Sequence, residues 1–523
     1  MTPKSLLRLH ESACFARAYP VSRGQLEQAC RTLSSFARRP GLARHAEALA
    51  DSGIAGTPIH YRFFWPMARW LASRYPRLLT IDWREDEFTG RLEAAIPYLV
   101  TPAEAEAVRR AELSARDAID RLRAPRETDA SFLIARIGAL PGGDFVREAT
   151  HDALDVAYRV SGDDSGPSRT HAVFDGAPFA FRSGPPSRER PDLAAELQRP
   201  PRHVRELPER AGRQLLDLAR EAMVTRSRDL DAFSHGDPRD VRLIDDGDGL
   251  AFALMGVVPE RRSFLPAVYG ALTLRNGVPI GYVQLDVLFR NAEVSYNTFE
   301  TFRGGEAGFV FTRLLAACRH LFGVETFSIE PYQLGRRNEE GIASGAWWFY
   351  ARFGFRPREP AVARLAASEL SKRSKNAAYR SGRGVLLRLA EAHMFWPADG
   401  NARAVVTPYA AVGLAVGRAL ALASGADREA ALDACEARAG QRLRVRSTHR
   451  WSPGERLWWR RWSPLIDLLP GIERWPARWR EALVAVVRAK GGRREDDYVR
   501  QFDAHPRLAS AAVTIGTRRS RVG

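Results

Sequence analysis

The stretch from Ala271 to Phe355 constrains the fold more than any other, because extended and helical periodicities alternate there in a fixed order, with turn residues between them. Residues 271–275 (ALTLR) and 279–289 (PIGYVQLDVLF) predict two strands joined at Asn276-Gly277, a pair suited to a two-residue turn whose central positions both need positive φ. A third strand follows over 292–302 (AEVSYNTFETF). Arg303, Gly304, Gly305, Glu306, Ala307 and Gly308 then form a glycine-bearing loop that opens a helix over Phe309 to Phe322. Phe311, Leu314, Leu315, Cys318 and Leu321 recur at helical spacing in it, and Gly323 closes it. A strand over Thr326 to Glu330 and a helix from about Asn338 to Phe353 complete the series.

A chain of 523 residues is too long for one core and implies several domains. Residues 1–160 read as helical. Ser22 caps one helix there, and Thr101, Pro102 and Glu104 start another. Between them Phe63, Phe64, Met67, Trp70 and Leu71 fall along one helical side, with Arg62, Arg69, Arg74 and Arg77 interleaved. That pattern suits a core stripe with arginines at its rim, and also a surface that stacks bases and grips phosphate. Residues 161–206 are rich in proline, glycine and charge and read as a linker, with one short possible strand over 171–181. The central domain spans 207–395, beginning with an amphipathic helix and a strand pair around Asp245-Asp246-Gly247-Asp248-Gly249. That acidic turn lacks the twelfth-position glutamate of a calcium loop and reads as a hairpin turn. Residues 396–523 form a helix-rich end.

The chain carries 79 basic and 62 acidic residues, and only Lys4, Lys372, Lys375 and Lys490 of the basic ones are lysine. The net charge of +17 would draw polyanions such as nucleic acid, acidic membranes or coenzyme A without choosing among them. Trp458, Trp459, Trp462, Trp475 and Trp479 lie among arginines near the C-terminal end, in a pattern that fits interdomain packing as well as base stacking. Cys14, Cys30, Cys318 and Cys435 are scattered, with neither a CxxC pair nor histidines at ligand spacing, so no zinc site is expected and a reducing, cytoplasmic setting is. Val405 to Ala423 is the most apolar run, but Pro408 and Arg418 interrupt it and it reads as a packed helix, not a membrane span.

Three features of the central stretch resemble the GNAT superfamily of N-acetyltransferases. They are the Asn-Gly hairpin leading to Ile280-Gly281-Tyr282, the strand feeding an arginine-glycine loop onto a helix, and the closing Tyr350, Arg352, Gly354 and Phe355. The resemblance covers about a third of the chain, residues 207–357. It implies a fold of class α/β (α+β), a mixed-sheet acetyltransferase-like central domain flanked by helical N- and C-terminal regions. It also implies acetyl-coenzyme A, or another acyl-coenzyme A, as co-substrate, with no metal. Backbone amides at a helix N-terminus suit a pyrophosphate, which would fall to Arg303, Gly304, Gly305, Ala307, Gly308 and Asn338. Thr298 and Phe299 on the third strand would meet the pantetheine arm.

On this reading Tyr350 would supply the acid for the departing thiolate, and Glu300 and Glu330, with Glu293, are candidate bases for the amine. The acceptor is an amine that the residues do not identify. Glu306 stands where the family loop has its second glycine, and 12 positions separate Asn338 from Tyr350. Both favour an alternative, a catalytically inactive relative that binds something else in the same cleft. A nucleic-acid-binding or scaffold protein using the arginine-tryptophan helices is the other.

Overall fold

The computed structural model describes residues 1–184, 191–303, 306–397 and 409–517. The chain divides into two compact units. The first comprises Met1–Pro185, Arg213–His235 and Leu274–Ile280; the second comprises Pro186–Gly212, Gly236–Thr273 and Gly281–Gly523.

The first unit is mainly helical, and its helix starts follow the capping chemistry of the sequence. The Ser22 hydroxyl accepts from Gln25 N–H at the head of Arg23–Ser34, and Thr101 and Glu104 form a reciprocal capping box on Pro102–Arg110. Three short strands, β1 (Ile59–Tyr61), β2 (Leu79–Ile81) and β3 (Tyr158–Val160), form a sheet in which β3 lies between the other two and runs antiparallel to both. Their core holds Phe63, Trp65, Met67, Leu71, Phe88, Leu92, Phe132 and Ile137. The aromatic stripe is therefore core in its majority, although Phe64, at the N-cap of Trp65–Arg74, is 51% exposed. Residues 171–181 contain no strand.

The second unit is built on a nine-stranded mixed sheet. Its strands are β4 (His203–Glu206), β5 (Gly236–Gly247), β6 (Leu250–Val257), β7 (Ala267–Arg275), β8 (Val278–Leu288), β9 (Asn291–Thr298), β10 (Thr326–Ile329), β11 (Arg356–Pro357) and β12 (Met394–Trp396). Their order is β11-β12-β10-β9-β8-β7-β6-β5-β4. β5 and β6 form the hairpin expected from the acidic turn, with Asp248 at φ 51° and Gly249 at φ 78°. Asn276 and Gly277, at φ 49° and 77°, join β7 to β8 as their identities require. β4 lies within the stretch read as linker and pairs antiparallel with β5. The helix Ala307–Phe322 connects β9 to β10, which run parallel as such a crossover demands. The helix expected over Asn338–Phe353 is two: Glu339–Ser344 and Ala346–Arg352, separated by Gly345 at φ 67°. A residue with Cβ is strained in that left-handed conformation, so glycine permits the break.

Beyond the sheet the unit is helical. Trp458, Trp459 and Trp462 of the helix Pro453–Leu468 are buried. Trp458 donates its indole N–H to the Pro259 carbonyl at 2.9 Å, and Trp462 donates to that of Phe264 at 2.9 Å. These tryptophans are packing residues. Gly454 and Gly491 meet backbone to backbone, and a Cβ on either would strike the other's carbonyl. A buried ionic layer ties the strands to the helices Ala477–Lys490 and Glu495–Ala504. Lys490 donates to Glu495 and to the carbonyls of Leu265 and Pro266, Arg242 pairs with Asp496 at 3.0 Å, and the Tyr269 hydroxyl links Asp240 to the Asp496 amide.

Of the apolar run, residues up to 408 lie outside the described residues. The remainder forms the helix Tyr409–Ser424, in which only Val412 and Val416 are buried, with Leu414 and Leu422 largely exposed. It is less enclosed than the packed helix expected there. Among the described residues no single helix is long and apolar enough to cross a membrane.

Candidate functional site

β9 is registered along its full length against β8, from Thr298 opposite Gly281 to Asn291 opposite Leu288. β9 and β10 are registered only over Asn291–Thr326, Ala292–Phe327 and Glu293–Ser328, after which β9 runs on to Thr298. Side chains alternate across these strands. Val283, Leu285, Val294 and Tyr296 share one face. Tyr282, Gln284 and Asp286 of β8, Glu293, Ser295 and Asn297 of β9, and Ser328 and Glu330 at the end of β10 share the other.

The first face is aromatic. Phe311, on Ala307–Phe322, lies 5.3 to 6.1 Å, centroid to centroid, from Tyr296, Phe349, Tyr350, Phe353 and Phe355. Such edge-on and tilted contacts contribute beyond their buried area. Tyr350 is buried there, and burial first, then the neighbouring Tyr296, pushes its hydroxyl well above the ordinary phenol range. It stays protonated at neutral pH and can act as a donor. The Tyr296 hydroxyl accepts from Thr298 at 2.9 Å and donates to the Ala307 carbonyl at 3.1 Å, which pins the end of β9 to the start of the helix.

The remaining expected site residues fall as follows. Gly304 and Gly305 lie outside the described residues. Arg303 donates to the Thr298 carbonyl at 3.0 Å and to Glu340 at 2.6 Å, in a pair whose side chains are 45% and 47% exposed. Phe299 is buried beside Tyr282, and Gly308 sits against the Phe353 ring. Glu306 occupies the N-cap, and its side chain makes no capping hydrogen bond. Asn338 caps Glu339–Ser344, accepting from Gly341 N–H at 3.1 Å and donating to the Tyr332 carbonyl at 3.1 Å. Glu300 is exposed on the turn Glu300–Phe302.

Glu330 belongs to the polar face. It accepts from Ser295 at 3.4 Å, and its carboxyl is raised above the usual range by burial and by the like charge of Glu293. The same face holds two groups that the sequence reading passed over. Asp286 stands opposite Glu293 across the β8–β9 ladder, accepts from Gln284 at 3.2 Å, and is pushed up to about 7 by burial and then by Glu293. His393 meets Glu293 at 3.3 Å. The alternation of YVQLD against EVSYN was the available signal for Asp286. His393 lies outside the recognised stretch and had none.

The raised Asp286 has a thermodynamic consequence. A carboxyl whose folded value exceeds its unfolded one contributes stability that is complete below about 4 and is lost as pH rises through about 7. Melting measured at pH 5 and pH 8 is expected to show a smaller loss across that interval in Asp286→Asn than in wild type. An unchanged difference would mean that Asp286 titrates normally.

Among the described residues no group of three or more histidine, cysteine or acidic side chains is placed to hold a metal ion. The cysteines are unpaired, and burial pushes the Cys318 thiol up to about 12, far from thiolate chemistry. Comparison of the chain with protein-family models, with curated proteins and with solved structures finds no match in any of the three.

Proposed function

We propose that the second unit is an acyl-coenzyme A-dependent N-acyltransferase of GNAT type, which moves an acetyl or related acyl group to an amine. The observation that carries this reading is the short ladder between β9 and β10. Pairing stops at Glu293 and Ser328, so from Val294 to Thr298 β9 presents a backbone edge beside the buried Tyr350. An extended amide-bearing arm can add to such an edge as a further strand would.

The surrounding residues fit a nucleotide-linked thioester. The first turn of the 16-residue helix Ala307–Phe322, after the Glu306 N-cap, carries no acidic side chain, and the first amides of a helix, here those of Ala307 and Gly308, have no partner within it. Arg303 is anchored at one end by Thr298, and its exposed pairing with Glu340 is weak enough to yield to a phosphate. Thr298 and Phe299 follow along the edge, and Asn338 begins the segment that leads to the Tyr350 helix. The coenzyme would supply the activated carbonyl. Tyr350 would hold the proton that the departing sulfur needs.

Calorimetric titration with acetyl-coenzyme A tests the reading. Binding is expected, weakened about tenfold or more in Arg303→Ala, the loss of one charge-assisted contact. Tyr350→Phe is expected to bind normally and to lose about 10²-fold or more in turnover. Binding seen only in Glu306→Gly would favour the inactive relative. No binding by wild type or by Glu306→Gly would sink the acyltransferase reading.

A further inference from the structure

We propose that His393, held by Glu293 across β10, is the proton acceptor for the nucleophile, and that the nucleophile arrives as an ammonium drawn by Asp286 and Glu330. The inference rests on the acyl-transfer reading.

β10 pairs with β9 on one side and β12 on the other, with Ser328 opposite both Glu293 and Phe395. His393 immediately precedes β12, so it and Glu293 stand on strands that are not neighbours. They meet at 3.3 Å on the face where Ser328, buried and accepting from Asn291 at 2.9 Å, is the β10 residue opposite Glu293. Each is about a third exposed, so the pair borders solvent rather than filling a core.

The imidazole Nε2 is the nitrogen that faces Glu293. A proton placed there leaves the Nδ1 lone pair free to accept another, the division of labour a base needs. Glu330 lies within electrostatic reach of both His393 and Tyr350. No arginine or lysine among the described residues pairs with Asp286, Glu293 or Glu330, although the chain carries 79 basic residues. A face left uncompensated in so basic a protein suits a cationic guest.

In the step, the ammonium gives one proton to His393 Nδ1, and the freed nitrogen lone pair forms the C–N bond at the thioester carbonyl. The C–S bond then breaks with its electrons going to sulfur, which takes the Tyr350 proton. The nitrogen's second surplus proton restores Tyr350, and the His393 proton leaves to solvent. The products are one amide, one free thiol and one proton.

Release of coenzyme A thiol from acetyl-coenzyme A is measured with water alone, n-butylamine, putrescine or spermidine, so that hydrolysis reports on the base even without an amine. His393→Ala is expected to lose about 10²-fold in kcat with KM for acetyl-coenzyme A unchanged, and added imidazole is expected to restore part of it, which a structural role would not allow. Glu293→Gln, a positioning change, is expected to lose about tenfold. His393→Gln guards against misfolding, since it keeps a donor towards Glu293 and is expected to melt like wild type yet be equally slow. Wild-type turnover retained in both His393 variants would overturn the inference and leave the acyltransferase standing. Turnover with water but none of the amines would overturn the ammonium part. No thiol release under any condition would overturn the acyl-transfer reading and this inference with it.

Discussion

Replacing Lys490 by methionine is expected to lower the stability of the second unit by about 3–5 kcal/mol, the penalty typical of leaving one partner of a buried ion pair alone. Lys490 and Glu495 are both fully buried, and the lysine also satisfies the carbonyls of Leu265 and Pro266. Methionine removes three hydrogen bonds and leaves a carboxylate in the interior with the more distant Arg262, at 3.8 Å, as its remaining counter-charge. The double change Lys490→Met with Glu495→Leu is expected to recover only part of the loss, because it removes the stranded carboxylate but leaves the Leu265 and Pro266 carbonyls without the lysine donor and Arg262 without its counter-charge. Urea titration followed by tryptophan fluorescence measures both. A single variant within about 1 kcal/mol of wild type would mean that water reaches this layer.

Arg313→Met is expected to have an effect of the same order. Its guanidinium is 1% exposed, grips Asp246 with two bonds of 2.7 Å, and reaches Glu196 and the carbonyls of Glu196 and Arg199 at 3.0 to 3.1 Å. It thus joins the helix Ala307–Phe322 to the end of β5 and to the segment before β4. Losing it strands Asp246 and leaves carbonyls without donors, about 3–5 kcal/mol in sum. Arg313→Lys is expected to recover little, since one ammonium cannot copy a planar fork. Recovery by lysine in the same titration would show that charge alone matters.

Both of these arginine and lysine contacts were invisible in the sequence, and so was the short helix Leu193–Glu196 that Arg313 reaches, which lies in the stretch read as linker. The turn at Asn276-Gly277, the end of a helix at Gly323 and the strand after it depend on the chemistry of a few adjacent residues, and the structure has them there. Asp246 sits in a turn-forming cluster that reads as solvated, yet its partner lies 67 positions away. His393 and Glu293 are 100 positions apart and meet only because β12 returns to the sheet beside β10. The edge strand β4 was hidden for a related reason. All four of its residues are exposed, so burial left no alternation to read, and only pairing with β5 makes it a strand.

The break at Gly345 bears on how this part of the chain tolerates change in length. Had one continuous helix carried both the Asn338 cap and Tyr350, each inserted residue would swing the tyrosine by about 100° around the axis. With a left-handed joint between two short helices, the second is no longer a rigid continuation of the first, and its Tyr350 packs against Phe311 and Phe355. A residue added at the joint can then leave Tyr350 packed against Phe311 and Phe355.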